Sequence, residues 1–534
     1  MGIGSEGSLS SSIQRRVQPR GLKRLARLKR VSRGAAWNRT NKAGEGSVQA
    51  QALVERAASE QASGDLDSAE KTLSSAAAEL LSHGESRSDN ACRSNSWARV
   101  AAYELALLHS QRGQHKEANA VLLRLGFLYK LSPSILDGTC QGSDPGAIDI
   151  VAAYDSVLPM PLLTSLRTAF GPSSPFWTEH GYPTPCFFSY NEPLNRASEG
   201  GASLIRAAVE HVRPLAQRSF PRLFGGQGVH SGGQSPKITS VEWWAHTRQG
   251  SGGGHQLHFD LDEAGLTEVP VGTEPGHPLV SCVLYLSGPV AGESVGKAAA
   301  TLVTDQGLST GSVASRAWLC EPARNRVLLF DGGLLHGVVP KLIKAGEDED
   351  SDEPRLTLML GLWGDSPGPT LTQVKHEGQL GPNMTMPYGK LAAALQWPKL
   401  LKEVRGSDAG SNEFGRDSKR RRGAERQKVG GTDEGHDKAT PRPVNLCGPI
   451  SPVWVPIATP ASKSFKRGQA KPQRQNESSE DANEDDVQFF GRWFLEHEPS
   501  ALQELVIAEA RAGAAAAAIA GEGEVSAGPE ISSL

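Results

Sequence analysis

Between residues 48 and 132 the apolar positions recur three and four apart, which predicts amphipathic helices. Two stretches, ALVERAASEQASGDLDSAEKTLSSAAAELL and VAAYELALLHSQRGQHKEANAVLLRLGFLYKL, also share a finer pattern. Each has a Gly, an Ala five residues on and a Leu four after that: Gly64, Ala69, Leu73 and Gly113, Ala118, Leu122. Small residues there let two helices of a hairpin cross closely. From 150 to 224 the helical period continues. YDSVLPMPLLTSLRTAF sets Val157, Leu158, Leu162, Leu163, Leu166 and Phe170 on one stripe, and ASLIRAAVEHVRPLAQRSF is a second amphipathic helix.

The period then changes from 3.6 to 2. ITSVEWWAH, HQLHFDL, PLVSCVLYLSG, ATLVTDQ, NRVLLFD, GVVP and RLTLMLGLW are short β-rich runs broken by Gly, Pro and charge clusters. Several strands without intervening helices predict a sandwich or barrel rather than a parallel α/β sheet. After residue 365 the pattern fades, apart from two aromatic islands, CGPISPVWVPI and DDVQFFGRWFLEHEPSALQELVIAEA. Trp454, Phe489, Phe490, Trp493 and Phe494 are too costly to leave in water, so both islands are expected to dock on the β domain.

Composition changes the picture little. Charges nearly cancel, at a net −3, so no global field points to nucleic acid. Only 38% of residues are hydrophobic, with 59 Gly and 34 Pro, so much of the chain is expected to be linker or tail. No apolar run is long enough for a membrane-spanning helix. Six scattered cysteines without C-x-x-C spacing argue against a disulfide framework or a zinc knuckle and fit a reducing, intracellular compartment. Residues 7–44 hold eleven Lys or Arg and no acid, which fits an organelle transit peptide or a disordered basic tail. SKRRRGAERQK reads as a nuclear signal or as solvated linker, so organelle, nucleus and cytosol all remain open. The expected organisation is therefore a basic N-terminus (1–46), a helical module (47–133) and a domain over 150–400 with its β core at 238–365. A linker (403–446), a docked segment (447–458), a second linker (462–485), an aromatic and helical segment (486–512) and a low-complexity tail (513–534) follow.

The chemistry concentrates in HQLHFDLDE, residues 255–263. In a strand, i and i+2 share a face, so His258 and Asp260 can hold one ion while Phe259 points away. His336 follows the apolar strand RVLLFD and a Gly-Gly bend. Two His and one carboxylate from separate strands form the facial triad that suits Fe(II) and leaves positions open for other ligands. RLTLMLGLW alternates strictly, so a buried leucine face (356, 358, 360, 362) turns Arg355, Thr357 and Met359 inward. Arginine stays charged, and burying it unpaired is expensive. A bidentate carboxylate is its natural partner. Asp262 and Glu263 fall past the strand and are expected to be solvated. Trp243, Trp244, His246, Arg248 and His255 are candidates for the substrate side, with packing or surface placement the blander reading of each.

His258-x-Asp260, His336 and Arg355-x-Thr357, in that order, resemble the 2-oxoglutarate- and Fe(II)-dependent dioxygenase superfamily, including its prolyl-hydroxylase-like branch. The resemblance covers roughly 240–365. It implies an α+β multidomain chain whose catalytic core is a double-stranded β-helix (jelly roll) with flanking helices. His258, Asp260 and His336 would bind Fe(II), and 2-oxoglutarate would chelate the metal and reach Arg355 and Thr357 with its far carboxylate. Tyr285 is a further cosubstrate-binding candidate, against a plain core role. O2 is the second cosubstrate and ascorbate a candidate addition; succinate and CO2 leave as a C–H bond of a protein or small molecule is hydroxylated. Collagen-type prolyl hydroxylases use lysine where this chain has Arg355, which weighs against a prolyl substrate. The N-terminal spacing is similar to tetratricopeptide repeats, which implies hairpins that could hold a peptide partner. No nucleic acid or membrane is required. Two alternatives stand beside this reading: a peptide-binding scaffold with an inactive β-helix, and a cupin-type site holding another metal, which leaves Arg355 without a role.

Overall fold

The computed structural model describes residues 45–82, 96–139, 149–179, 189–194, 203–224, 236–248, 254–262, 265–267, 270, 274–290, 299–342, 354–364, 384–385, 395–402, 440–457 and 492–523. The basic N-terminus, the acidic run 344–353, the SKRRRGAERQK run, Glu263, Phe489 and Phe490 lie outside them. Among the described residues no helix is long and apolar enough to cross a membrane.

Four helices come first: α1 (Glu45–Ala62), α2 (Leu66–Ser82), α3 (Ser96–Gln111) and α4 (His115–Leu125). They form two hairpins with matching joints. Gly64 and Gly113 take left-handed backbone, at φ 77° and 72°, which glycine adopts without a Cβ penalty. The following amides, of Asp65 and Gln114, bond to the carbonyls of Glu60 and His109 at 2.9 and 2.8 Å, closing each first helix the same way. Ala69 and Ala118 lie fully buried beyond these joints, with Leu73 and Leu122 beside them. The repeated Gly–Ala–Leu spacing is thus the spacing of one structural unit used twice.

Among the described residues, sixteen strands follow from period-2 patterning and from edges that pair at long range. An eight-stranded sheet runs in the order β12 (Met384–Thr385), β3 (Tyr190–Pro193), β4 (Ser240–Arg248), β11 (Arg355–Trp363), β6 (Val280–Tyr285), β9 (Arg326–Asp331), β2 (Val151–Asp155), β13 (Arg442–Pro443). A five-stranded sheet runs β14 (Cys447–Ile450), β8 (Ala317–Cys320), β7 (Thr301–Gly307), β10 (Leu334–Val338), β5 (His255–His258). Pairing in both is antiparallel except where β12 meets β3.

Alternation decides what covers each face. On β11, Leu356, Leu358, Leu360 and Leu362 pack into one core with α5 (Met160–Phe170) and α6 (Leu204–Ser219), beside Leu163, Phe170, Ile205 and Val209. Each such buried leucine contributes about 1.5–3 kcal/mol, enough to fix the register against a one-residue slip that would expose all four. Trp244, Val283, Tyr285, Val303, Trp318, Phe330 and Met359 fill the space between the two sheets. Leu257, Leu302, Leu319 and Leu335 on the far face of the five-stranded sheet join the helical hairpins in a third core. The result is an α+β stack of helices, two antiparallel sheets and helices, with the hairpins leaning on the sandwich. Gln111 at the end of α3 donates to the Pro340 carbonyl at 2.6 Å, tying the two together.

Several expectations are corrected here. The helical stripe drawn from Val157 begins later: 151–155 is β2, Ser156 turns the chain at φ 58°, and helix starts at Met160. Val157 and Leu158 precede the helix but belong to the same core, which is why they mimicked the helical period. β8 went unforeseen because AWLC is apolar throughout and has no alternation. Residues 440–446 are not linker, since β13 extends the eight-stranded sheet and Leu446 is buried between the sheets. The aromatic islands dock less simply than expected. β14 joins the five-stranded sheet, but β15 (Trp454–Pro456) and β16 (Phe494–Leu495) flank β1 (Tyr129–Leu131) at the end of the helical module. Phe494 sits edge-on to Tyr103, 5.1 Å between ring centres. The helix α7 (Leu502–Gly523) runs eleven residues into the stretch expected to be tail. Cys447 is disulfide-bonded to a partner outside the described residues, against the expectation from spacing.

Candidate metal centre

β5 and β10 lie side by side in the five-stranded sheet, with His258 directly opposite His336. Both imidazoles turn into the sandwich, their ring centres 4.3 Å apart. Asp260, two residues past His258, turns the same way. Its Oδ1 lies 3.7 Å from Nε2 of His258 and 3.6 Å from Nε2 of His336. One donor atom from each of the three residues falls within 4.8 Å of the others.

The surroundings fix how these atoms point. Nδ1 of His258 lies 2.8 Å from the Gln256 carbonyl, and Nδ1 of His336 lies 3.0 Å from that of Leu334. A carbonyl accepts only, so each ring carries its proton on Nδ1 and turns an Nε2 lone pair inward, the tautomer a metal requires. The Ser281 hydroxyl donates to Oδ2 of Asp260 at 2.6 Å, leaving Oδ1 for the shared point. Burial, and then the repulsion of His336, pull the His258 pKa down to about 4, so its imidazole is neutral at physiological pH. Nε2 of His336 is buried and has no hydrogen-bond partner. An orphaned buried acceptor of this kind costs about 1–3 kcal/mol, and it is aimed at the point the other two donors share. Two imidazoles and a carboxylate on one side of a cleft fit Fe(II).

The cleft encloses about 610 Å3 of atom-free space, counting its open mouth. Arg355 and Thr357 line it from β11, as the alternation predicted, together with Met359. The Arg355 guanidinium donates to the Ala299 carbonyl at 2.7 Å and to the Thr301 hydroxyl at 3.1 Å. Among the described residues no carboxylate pairs with it, and burial pulls its pKa below the usual guanidinium value. A half-buried cation with no anion among the described residues, facing a cleft, is a site for an anion.

Tyr285 is fully buried behind this wall rather than in it. Its hydroxyl bonds to the Thr301 hydroxyl at 2.7 Å, and its ring lies 5.5 Å from the Arg355 guanidinium carbon. Thr301 therefore links both side chains and lines the cleft, a role missed in the sequence, where ATLVTDQ offers only an inward threonine. Of the substrate-side candidates, Trp244, His246 and His255 line the cleft, whereas Trp243 faces the helical side, stacked on Tyr190 at 4.7 Å. His255 reaches the cleft because three residue steps on β5 face two on β10, a bulge that puts His255 and His258 on one face. Asp262 is not solvated. It is buried at 7% exposure, and its carboxylate caps the following turn by accepting from the Gly265 amide. Glu242 on β4 is a buried acid the sequence gave no reason to single out. It is bonded to Ser189 at 2.6 Å and Trp363 at 3.0 Å, and burial pushes its pKa up to about 8.

No family model and no curated protein matches the chain. Among solved structures it is similar to a prolyl-4-hydroxylase from Pseudomonas putida, at 15% identity over 41% of this chain and 89% of that one, with a TM-score of 0.24. It is similar also to HygX from Streptomyces hygroscopicus, solved with nickel and 2-oxoglutarate bound, at 14% identity over 39% and 80% of the two chains and a TM-score of 0.21. A third is SnoN, a non-heme alpha-ketoglutarate-dependent epimerase from nogalamycin biosynthesis, at 10% identity over 45% and 91%, with a TM-score of 0.22. TM-scores this low leave the functional case to the geometry of the cleft.

Proposed function

We propose that this chain is an Fe(II)- and 2-oxoglutarate-dependent dioxygenase that hydroxylates a C–H bond of a protein or small-molecule substrate. One observation carries the reading: a three-donor metal cradle and a half-buried arginine, with no carboxylate partner among the described residues, open into the same cleft. The facing five- and eight-stranded antiparallel sheets support a double-stranded β-helix core, and the matched hairpins support the tetratricopeptide-like reading. His258, Asp260 and His336 would hold the iron. Bound there with 2-oxoglutarate and O2, iron supplies the oxidising chemistry that ends in succinate, CO2 and a hydroxylated product.

The protein's own part is placement. Arg355 pairs with the distal carboxylate of 2-oxoglutarate while Thr301 and the Ala299 carbonyl hold its guanidinium in plane. Thr357 stands beside it on the same face of β11, within reach to donate a hydroxyl to that carboxylate. The two Nδ1–carbonyl bonds keep both imidazoles in one orientation before metal arrives, so binding costs little reorganisation. Trp244, Val283 and Met359 give the cleft apolar walls that limit water. His246 and His255 also line the cleft, 6.1 Å between ring centres, and would face the substrate.

Anaerobic mixing of the protein with Fe(II) and 2-oxoglutarate tests this. A weak visible metal-to-ligand absorption is expected, lost in His336→Ala with the far-UV circular dichroism retained. Its absence from the wild-type protein sinks the reading.

A further inference from the structure

The strand that carries His258 and leads into Asp260 is short and thinly supported. β5 is four residues long, sits at the edge of the five-stranded sheet and, among the described residues, pairs only with β10, through two register positions separated by the bulge. An edge strand leaves one row of backbone groups without a ladder partner. The bulge itself leans on close backbone contact: a Cβ on Gly337 would stand 2.8 Å from the His255 carbonyl oxygen and 3.1 Å from that of Gln256.

What holds the free edge comes from far along the chain. Arg492 donates to the Leu257 carbonyl, inside the bulge, at 2.6 Å. Its guanidinium also pairs with Glu509 on α7, and the two side chains are only 10% and 13% exposed. The Arg492 backbone is left-handed at φ 56°, a conformation side chains other than glycine seldom adopt. Leu257 and Phe259, on the back of the metal strand, share a core with Trp493, Leu502 and Val506. Just past β5, the loop is held by the same helix, where Arg511 donates to the Pro270 carbonyl at 3.2 Å.

We infer that Arg492 is a positioning residue for the metal centre: with Glu509 it clamps the bulged edge of β5 so that His258 and Asp260 meet His336 at one point. The segment from 492 to 512 is then part of the site without touching it. This rests on the reading of the triad as a metal cradle. A positioning residue one layer out from the ligands sets metal affinity, typically by about 10–100-fold, with no contact to substrate.

The test is titration of the full chain with Co(II) alone, followed by its visible d–d absorption, which reports ligand geometry without turnover. Wild type is expected to take up one equivalent and His336→Ala none. Arg492→Ala is expected to bind about 10–100-fold more weakly with an altered band shape. Arg492→Lys, which keeps a cationic donor, is expected to recover part of the loss. Glu509→Gln, a milder change should Arg492→Ala not fold, is expected to weaken binding in the same direction. Gln503→Ala removes a contact from the same helix to the Leu308 carbonyl, away from β5, and is expected to leave Co(II) affinity within about threefold of wild type, well short of the positioning effect. Folded Arg492 and Glu509 variants with unchanged affinity and band shape overturn the clamp and leave the metal reading standing. Failure of the wild-type protein to bind Co(II) overturns the metal reading, and the clamp with it.

Discussion

The two strands that meet in the cleft are built in opposite ways. β11 spans nine residues and is paired on both sides, to β4 along its whole length and to β6 over six positions. It carries Arg355 and Thr357. β5 has four residues, one neighbour and a bulge, and it leads directly into Asp260. The backbone of the anion anchor is thus set by regular structure, and its guanidinium is steadied by the Ala299 carbonyl and by Thr301 on the facing sheet. Two of the metal donors, His258 and Asp260, are set by irregular structure held by distant contacts, while His336 sits on β10, paired on both sides. A rigid anchor keeps one end of the cosubstrate fixed, whereas the donors converge through backbone that a remote residue can shift.

That contrast can be broken or sharpened by experiment. Arg355→Ala has the largest expected effect, a rise in the KM for 2-oxoglutarate. Losing charge-assisted hydrogen bonds worth about 1.5–3 kcal/mol corresponds to roughly 10–100-fold. Succinate release measures it, and a Co(II) titration of the same variant should be unchanged; a parallel loss of metal affinity would mean the two strands are not independent.

Glu242→Gln tests the neighbouring strand β4 through pH. Its folded pKa of about 8 lies above that of an unfolded carboxylate. The protonated acid therefore stabilises the fold fully at acid pH, and this contribution is lost as pH rises through the ordinary carboxylate range to about 8. The wild-type Tm should fall relative to Glu242→Gln between pH 5 and roughly 8.5, and level off beyond, by thermal melts. Parallel pH profiles would show the acid to be ionised in the fold.

Tyr285→Phe carries the smallest expected change. Its hydroxyl reaches Thr301 and not the cleft, so about 1 kcal/mol, or up to roughly fivefold in the KM for 2-oxoglutarate, is expected in the succinate assay. A loss as large as that from Arg355 would place the phenol on the cosubstrate.

What could be read from the sequence follows the same division. RLTLMLGLW announced its buried leucines and its inward arginine because a long, regular strand imposes strict alternation. His258 and Asp260 were found because the i, i+2 spacing survives beyond the bulge, but His255 lies across it, where period 2 no longer holds. Asp262 was misplaced because a capping carboxylate and a solvated one look alike until the turn they serve is known. Thr301, Glu242 and Arg492 act through partners up to 235 residues away in the chain, and no local pattern encodes such a pairing. The Gly–Ala–Leu spacing of the hairpins was legible because it is local and occurs twice.

The three-stranded sheet β15–β1–β16 carries a consequence for biosynthesis. Residues 129–131 leave the ribosome more than three hundred residues before either of their neighbours at 454–456 and 494–495. Throughout that interval the seam of the helical module lacks both of its neighbouring strands, and this sheet can close only once translation has passed residue 495.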